Sequence, residues 1–267
     1  LDGTCAASGG HESGTGGRLA EGIGVSELEL ALPGADSLEG VTIGLPREYL
    51  PADLDGGVRA AVDRAVGFCR ELGATVKDVS LPHTSFAVPT YYIIAPAEAA
   101  ANLARFDGVR YGRREVGAGG DVRALYRATR GHGFGAEVRR RVLVGTYVLS
   151  AGYHDAYYGR AQAARSLIAE DFRAVFASGV DLLLTPTTPT PAFKAGEKVG
   201  DPVSMYLADI FVCPANLAGV PAMSLPAGTS GGLPVGIQLI APHFEESRML
   251  GVARALERRL DARSEVR

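Results

Sequence analysis

Between Asp181 and Ile240 the chain repeatedly starts an apolar run and cuts it short with proline or glycine, reading DLLLTPTTPTPAF, then MYLADIFVCPANLAGVPAMSLPAG, then GLPVGIQLI. Short apolar runs bounded by such breakers are the pattern of strands buried in a sheet. The prolines of TPTTPTP, from Thr185 to Pro191, remove ladder donors, so the chain is expected to leave the sheet there. In open α/β sheets that C-terminal edge is where ligands commonly bind, although a stiff turn explains the prolines equally well. Asp209 is the exception in this region, an acid inside an otherwise apolar segment.

The rest of the chain supplies helices to cover such a sheet. VTIGLP reads as a strand, and GGVRAAVDRAVGFCRELG follows with Val58, Ala61, Val62, Ala65, Phe68, Cys69 and Leu72 at helical spacing. Gly73 stands where a helix C-cap belongs, and ATVKDVSL alternates like a second strand, which makes a β-α-β unit. From Ser85 to Ala177 the pattern is mostly helical, with a break or kink expected at Pro96 and a mobile Gly-rich connection at VGAGGD. After Val180 short strands are expected, closed by a helix across EESRMLGVARALERRL. The order of elements predicts an α/β fold, a mixed sheet flanked by helices. Residues 1–37, rich in glycine and small polar residues, read as a flexible lead-in to a folded portion spanning 38–267.

Charge and cysteine usage exclude several functions. Lys+Arg 27 against Asp+Glu 30 leaves a net charge of -3 with no basic block, so direct nucleic-acid binding is not expected. Cys5, Cys69 and Cys213 are widely spaced with no Cys/His cluster, which predicts a reducing, cytoplasmic setting and no structural zinc. No apolar stretch approaches a membrane span, and no secretory leader pattern opens the sequence.

Three features could carry chemistry. Gly228-Thr229-Ser230-Gly231-Gly232 matches G-x-S-x-G, yet it joins two strand-like runs rather than a strand and a helix, so it is read as a hairpin turn. His11, His83, His132, His154 and His243 show no metal-ligand spacing, and His154 and Asp155, adjacent in sequence, are not expected to face each other. Arg139-Arg140-Arg141 begins an apolar helix, where three consecutive arginines cannot all point one way. At least one is expected to turn toward the interior or a cleft, and to need an anionic partner there. Asp209 poses the same problem with the opposite sign. Two readings stand side by side: a structural ion pair, or a grip on a zwitterion, with arginine taking a carboxylate and aspartate an ammonium group.

Several longer segments carry a resemblance: SLEGVTIGLPREYL, SLPHTSFAVPTYYIIAPAEAAANLARFDGVRYG, GFGAEVRRRVLVGTYVLSAGYHDAYYGRAQ, and DLLLTPTTPTPAF with the segment after it. Between about Leu38 and Leu256 they resemble the amidase signature family, and within it the branch of A subunits from tRNA-dependent amidotransferases. The resemblance implies the amidase signature fold, with 38–267 as its C-terminal part. It also implies a reaction in which a serine, activated through a cis-configured second serine by a lysine, hydrolyses glutamine. Ammonia then passes to a B subunit that uses ATP and Mg to amidate Glu-tRNA(Gln) or Asp-tRNA(Asn), while a small C subunit clamps the other two together. Glutamine and the B and C subunits are the implied partners, with no cofactor in this chain.

Carried over residue by residue, Arg141 resembles the arginine that holds the glutamine carboxylate and Asp209 the acid that takes its α-ammonium. One of Tyr91 and Tyr92 resembles the tyrosine lining that pocket. The family's lysine and GGSSGGS-type loop have no counterpart. The only lysines are Lys77, Lys194 and Lys198, none beside a serine-rich turn, and SGGHESGTGG is not that loop. No catalytic residue is therefore assigned. The chain is expected to be a truncated A subunit that does not cleave glutamine by itself. The alternative is a non-catalytic module that binds glutamine or docks the partner subunits.

Overall fold

The computed structural model describes residues 37–115, 120–198 and 200–260. The expected lead-in, apart from Ser37, and most of the VGAGGD connection lie outside these residues. The β-α-β unit forms as read: β1 (Thr42–Pro46), α1 (Gly56–Glu71) and β2 (Thr75–Val79), with the two strands parallel. Asp55 caps α1 by accepting from the backbone N–H groups of Gly57 and Val58, and Val58, Ala61, Val62, Ala65, Val66 and Cys69 form its buried stripe. Beyond the last turn Gly73 takes φ +97, a conformation that costs a residue without Cβ little and lets the chain reverse into β2.

On the other side of β1 lies β3 (Leu182–Pro186), also parallel. A direction change follows, because β5 (Leu233–Ile240) pairs antiparallel with β3, and β4 (Ala222–Ser230) pairs antiparallel with β5. The strand order β2-β1-β3-β5-β4 makes a mixed sheet. Leu182, Leu183, Leu184, Ile237 and Leu239 fill its centre, all essentially inaccessible to solvent. Thr185 and Pro186 remain in the ladder opposite Gln238 and Ile237, so the strand outlasts the first two residues of TPTTPTP and leaves the sheet only afterwards. A proline at a strand's last position forfeits a single donor, which the ladder tolerates.

Between β2 and β3 the chain makes a helical excursion: α2 (Ala87–Leu103), α3 (Val122–Gly133), α4 (Ala136–Val148), a π-type turn (His154–Gly159) and α5 (Arg160–Ala177). Helix α2 runs through Pro96 instead of ending there. Packing holds the segment helical although Pro96 has no N–H to donate back to the Tyr92 carbonyl. Helix α4 crosses α2 at Gly145, where a methyl group would fall inside the van der Waals radius of the Pro96 carbonyl oxygen. The two helices approach that closely because residue 145 has no side chain.

The region after Val180 is not all strand. MYLADIFVCPANLAG forms two short helices, α6 (Pro202–Leu207) and α7 (Cys213–Ala218), joined by a turn. Short apolar runs do not distinguish strand from helix by periodicity, and the deciding signals are local. Pro214 sits in the first turn of α7, and Gly219 stops it with φ 75. The closing helix α8 (Glu246–Leu260) forms where expected, and it packs on β4 and α1.

Candidate functional site

Helix α2, helix α4 and the turn after α6 meet around an open cavity of about 310 Å³, lined by Tyr92, Glu137, Arg140, Arg141, Lys198, Met205, Tyr206 and Asp209. Arg141 and Asp209, distant in sequence, thus share one hollow. The structure also distinguishes the two tyrosines. Tyr92 lines the cavity and stacks on Tyr206 with ring centroids 3.8 Å apart, whereas Tyr91 packs against the hydrophobic core and meets Tyr92 edge-on at 5.1 Å.

Each wall has a local cause. Glu137, Arg140 and Arg141 stand on the first turns of α4, which Gly145 seats directly against α2, and α2 carries Tyr92 on its facing side. The Asp209 turn is pinned from below. Phe211 is buried and stacks on Tyr49 at 5.2 Å, and the Phe211 carbonyl accepts from Gln238 Nε2 at 3.1 Å. The same amide group of Gln238, itself buried in β5, donates to Thr185 Oγ1 at 3.1 Å. A buried polar side chain anchored to the sheet therefore fixes the turn that presents Asp209.

Asp209 itself is exposed, not buried as its apolar surroundings suggested. Phe211 and Cys213 take the inward positions of this turn, which leaves the acid outward. Nor does it pair with an arginine: among the described residues its carboxylate has no hydrogen bond or ion pair. Arg141 is paired within its own helix, its Nε donating to Glu137 Oε1 at 3.1 Å, while Arg140 NH1 donates to Glu137 Oε2 at 2.6 Å. The ion pair that sequence reasoning offered as one reading is thus made with Glu137, and Asp209 is left facing the cavity.

The electrostatics follow from this arrangement. Burial works against the charged form of Arg141, but the hydrogen bond and charge of Glu137 outweigh it and raise its pKa. Desolvation, followed by the nearby charge of Asp209, pushes the Tyr92 phenol well above its usual range, so it remains a neutral hydroxyl. The cavity is therefore lined by two guanidinium groups, a free carboxylate and a stacked aromatic pair. That is the set a zwitterionic α-amino acid needs.

Sequence reasoning missed Glu137, Lys198, Met205 and Tyr206, and it named Arg140 only as one of three arginines of which at least one should reach a cleft. Glu137 stands four residues before Arg141, a helical pairing distance visible in the sequence. Lys198, whose Nζ sits 4.4 Å from the Phe193 ring centroid and donates to the Ser204 carbonyl, arrives from a loop with no local signal.

The remaining features have other roles. Gly231 and Gly232, with φ 57 and 80, form the two-residue turn of the β4–β5 hairpin. Ser230 Oγ donates to Asp55 Oδ1 at 2.9 Å, so it supports the cap of α1. His83 Nδ1 lies 2.8 Å from Asp171 Oδ1, linking the segment before α2 to α5. His154 does contact Asp155, at 3.0 Å, because exposed side chains at the start of the π-type turn swing together despite diverging backbones. His11 lies outside the described residues. Among the described residues, no group of three potential metal ligands occurs and no helix is long and apolar enough to cross a membrane. Cys69 and Cys213 are free thiols, both buried.

Comparison with known proteins agrees with this architecture. The amidase family model matches residues 25–250. The chain is 57% identical over 220 residues to the A subunit of glutamyl-tRNA(Gln) amidotransferase from Carboxydothermus hydrogenoformans, covering 82% of this chain and 45% of that protein. It is 56% identical over 226 residues to the same subunit from Parvibaculum lavamentivorans, covering 84% and 45%. Among solved structures, the glutamyl-tRNA(Gln) amidotransferase A subunit from Thermotoga maritima superposes with a TM-score of 0.62 at 40% identity, over 83% of this chain and 43% of that one. An amidase crystal structure matches with a TM-score of 0.63 at 25% identity, over 84% of this chain and 46% of that one. The chain spans about 45% of the length of the curated relatives it matches. A mixed sheet flanked by helices, a family match over most of the sequence and a superposition on solved amidases all meet in one conclusion: this chain belongs to the amidase family.

Proposed function

We propose that the cavity between α2, α4 and the Asp209 turn holds the α-amino-acid head of glutamine. Arg141 takes its carboxylate, Asp209 its ammonium group, and Tyr92 with Tyr206 forms the wall between them. One observation carries this reading: Arg141 and Asp209, whose carboxylate has no partner among the described residues, line the same hollow. In the wider activity the chain belongs to a glutamine-hydrolysing A subunit whose ammonia serves the amidation of Glu-tRNA(Gln). The similarity to proteins of that name supports it. The B and C subunits of the amidotransferase are the proposed partners, with ATP and Mg acting in the B subunit. The cytoplasm is the proposed compartment, a setting that suits free thiols.

The residues in hand bind rather than cleave. Lys77 lies in β2, Lys194 in the loop after β3, and Lys198 Nζ donates to the Ser204 carbonyl while the Ser204 hydroxyl donates to the Asp201 carbonyl. Among the described residues no serine–lysine pair poised for amide attack arises. The purified chain is therefore expected to bind glutamine without releasing ammonia from it.

Isothermal titration calorimetry with glutamine tests the binding reading. Arg141→Ala and Asp209→Asn should each weaken binding by about 2–3 kcal/mol, the contribution of a charge-assisted hydrogen bond. Unchanged affinity in either variant would remove the assignment, and ammonia released above a blank would remove the claim that these residues do not cleave.

A further inference from the structure

Adjacent residues on a helix point roughly 100° apart, so Arg140 and Arg141 have no intrinsic reason to serve one cavity. Glu137 supplies the reason. On the helical wheel it lies between them, roughly 60° from Arg140 and 40° from Arg141. Its two carboxylate oxygens are divided accordingly, Oε2 accepting from Arg140 NH1 and Oε1 from Arg141 Nε. Both guanidinium groups are drawn toward the cavity that Glu137 itself lines. Holding Arg141 by Nε leaves the edge bearing its two terminal nitrogens unoccupied by Glu137. That edge can pair with a carboxylate through two parallel bonds.

The charges follow the same logic. Without Glu137 the cavity would carry Arg140, Arg141 and Lys198 against Asp209 alone, a surplus suited to a ligand of net negative charge. A zwitterion carries no net charge, so a surplus positive charge in the cavity gives it no net long-range attraction and repels its ammonium group, whereas it attracts an anion outright. An ordinary exposed ion pair at this spacing contributes little to folding. The value of this one lies in where it points the two arginines and in the charge it cancels.

We propose, resting on the zwitterion reading above, that Glu137 is a positioning and specificity-determining residue: it aims Arg141 at the ligand carboxylate and sets the cavity to prefer an α-amino acid over the corresponding anion without the amino group. The probes are glutamine and glutaric acid monoamide, which keeps the carboxylate and the amide but lacks the ammonium. The wild-type protein, Glu137→Gln and Glu137→Ala are titrated with both by calorimetry, alongside Arg141→Ala. The Glu137 side chain is 46% exposed, so both replacements are expected to melt like the parent.

Glu137→Gln keeps an acceptor and removes the charge, and should shift the affinity ratio toward the monoamide by at least about threefold. Glu137→Ala should shift the ratio similarly and also weaken glutamine about tenfold by freeing both arginines. A merely structural contribution would weaken the two ligands by the same factor, and that result, or no change in either, overturns the role of Glu137. Glutamine bound equally by wild type and Arg141→Ala would overturn the zwitterion reading, and this inference with it.

Discussion

Gln238 shows how much of the cavity depends on a residue that never reaches it. Its amide nitrogen satisfies both the Thr185 hydroxyl and the Phe211 carbonyl, in a setting where Gln238 is only 4% exposed. Gln238→Leu keeps the volume and strands both acceptors, so urea denaturation should show a loss of about 1–3 kcal/mol. Glutamine affinity should fall too, because the Asp209 turn loses its tie to the sheet. The mixture of legible and hidden features at this scale has a physical origin. Arg141 and Asp209 stand out in the sequence because a charge in an apolar segment demands a partner. That Asp209 faces outward was hidden, because which residues of a short apolar run turn inward depends on whether the run is strand or helix. Tyr92 could not be told from Tyr91 by sequence because neighbours on one helix have the same composition around them, and only the approach of α4 selects between them.

At the level of elements, the α2–α4 crossing sets the shape of the cleft. Gly145→Ala puts a methyl group into the Pro96 carbonyl, and the obstacle is backbone, so the helices must separate. An overpacking cost of about 1–3 kcal/mol is expected, together with weakened glutamine binding as Arg141 moves away from Asp209. Gly67→Ala is the matching control. Gly67 lies mid-helix in α1 with nothing within 4 Å of an added Cβ, so this change should stabilise the protein by about 0.5–1 kcal/mol and leave binding unaltered. Thermal melts of the two variants should move in opposite directions. The helices themselves were legible from periodicity, whereas their crossing was not, since a lone glycine in an apolar helix does not announce what passes over it. Helices α6 and α7 escaped for a different reason, being too short to display a period.

Across the whole molecule, buried thiols link the core to pH. Burial pushes Cys69 from its ordinary 9.0 up to about 12, and burial with the nearby Asp209 charge does the same for Cys213. Both pKa values are raised in the folded state, so their contribution is complete below pH 9 and is lost as pH rises toward 12, where unfolded thiols ionise and folded ones resist. The melting temperature should therefore fall steadily across that alkaline window, and Cys69→Ala/Cys213→Ala should flatten the slope. The fold class was readable because strands, breakers and helices alternate plainly along the chain. The strand order was not, since nothing local states which runs become neighbours. That order has a kinetic consequence. β1 meets β2 after a single helix, and β4 meets β5 across two glycines, but the Thr42 N–H reaches the Asp181 carboxylate across 139 residues. Closing so long a loop is entropically expensive, and long-range parallel pairing is slow. In pulse-labelled hydrogen exchange during refolding, amides of the first unit and of the hairpin should gain protection early, and β3 should be the last rung to zip between them.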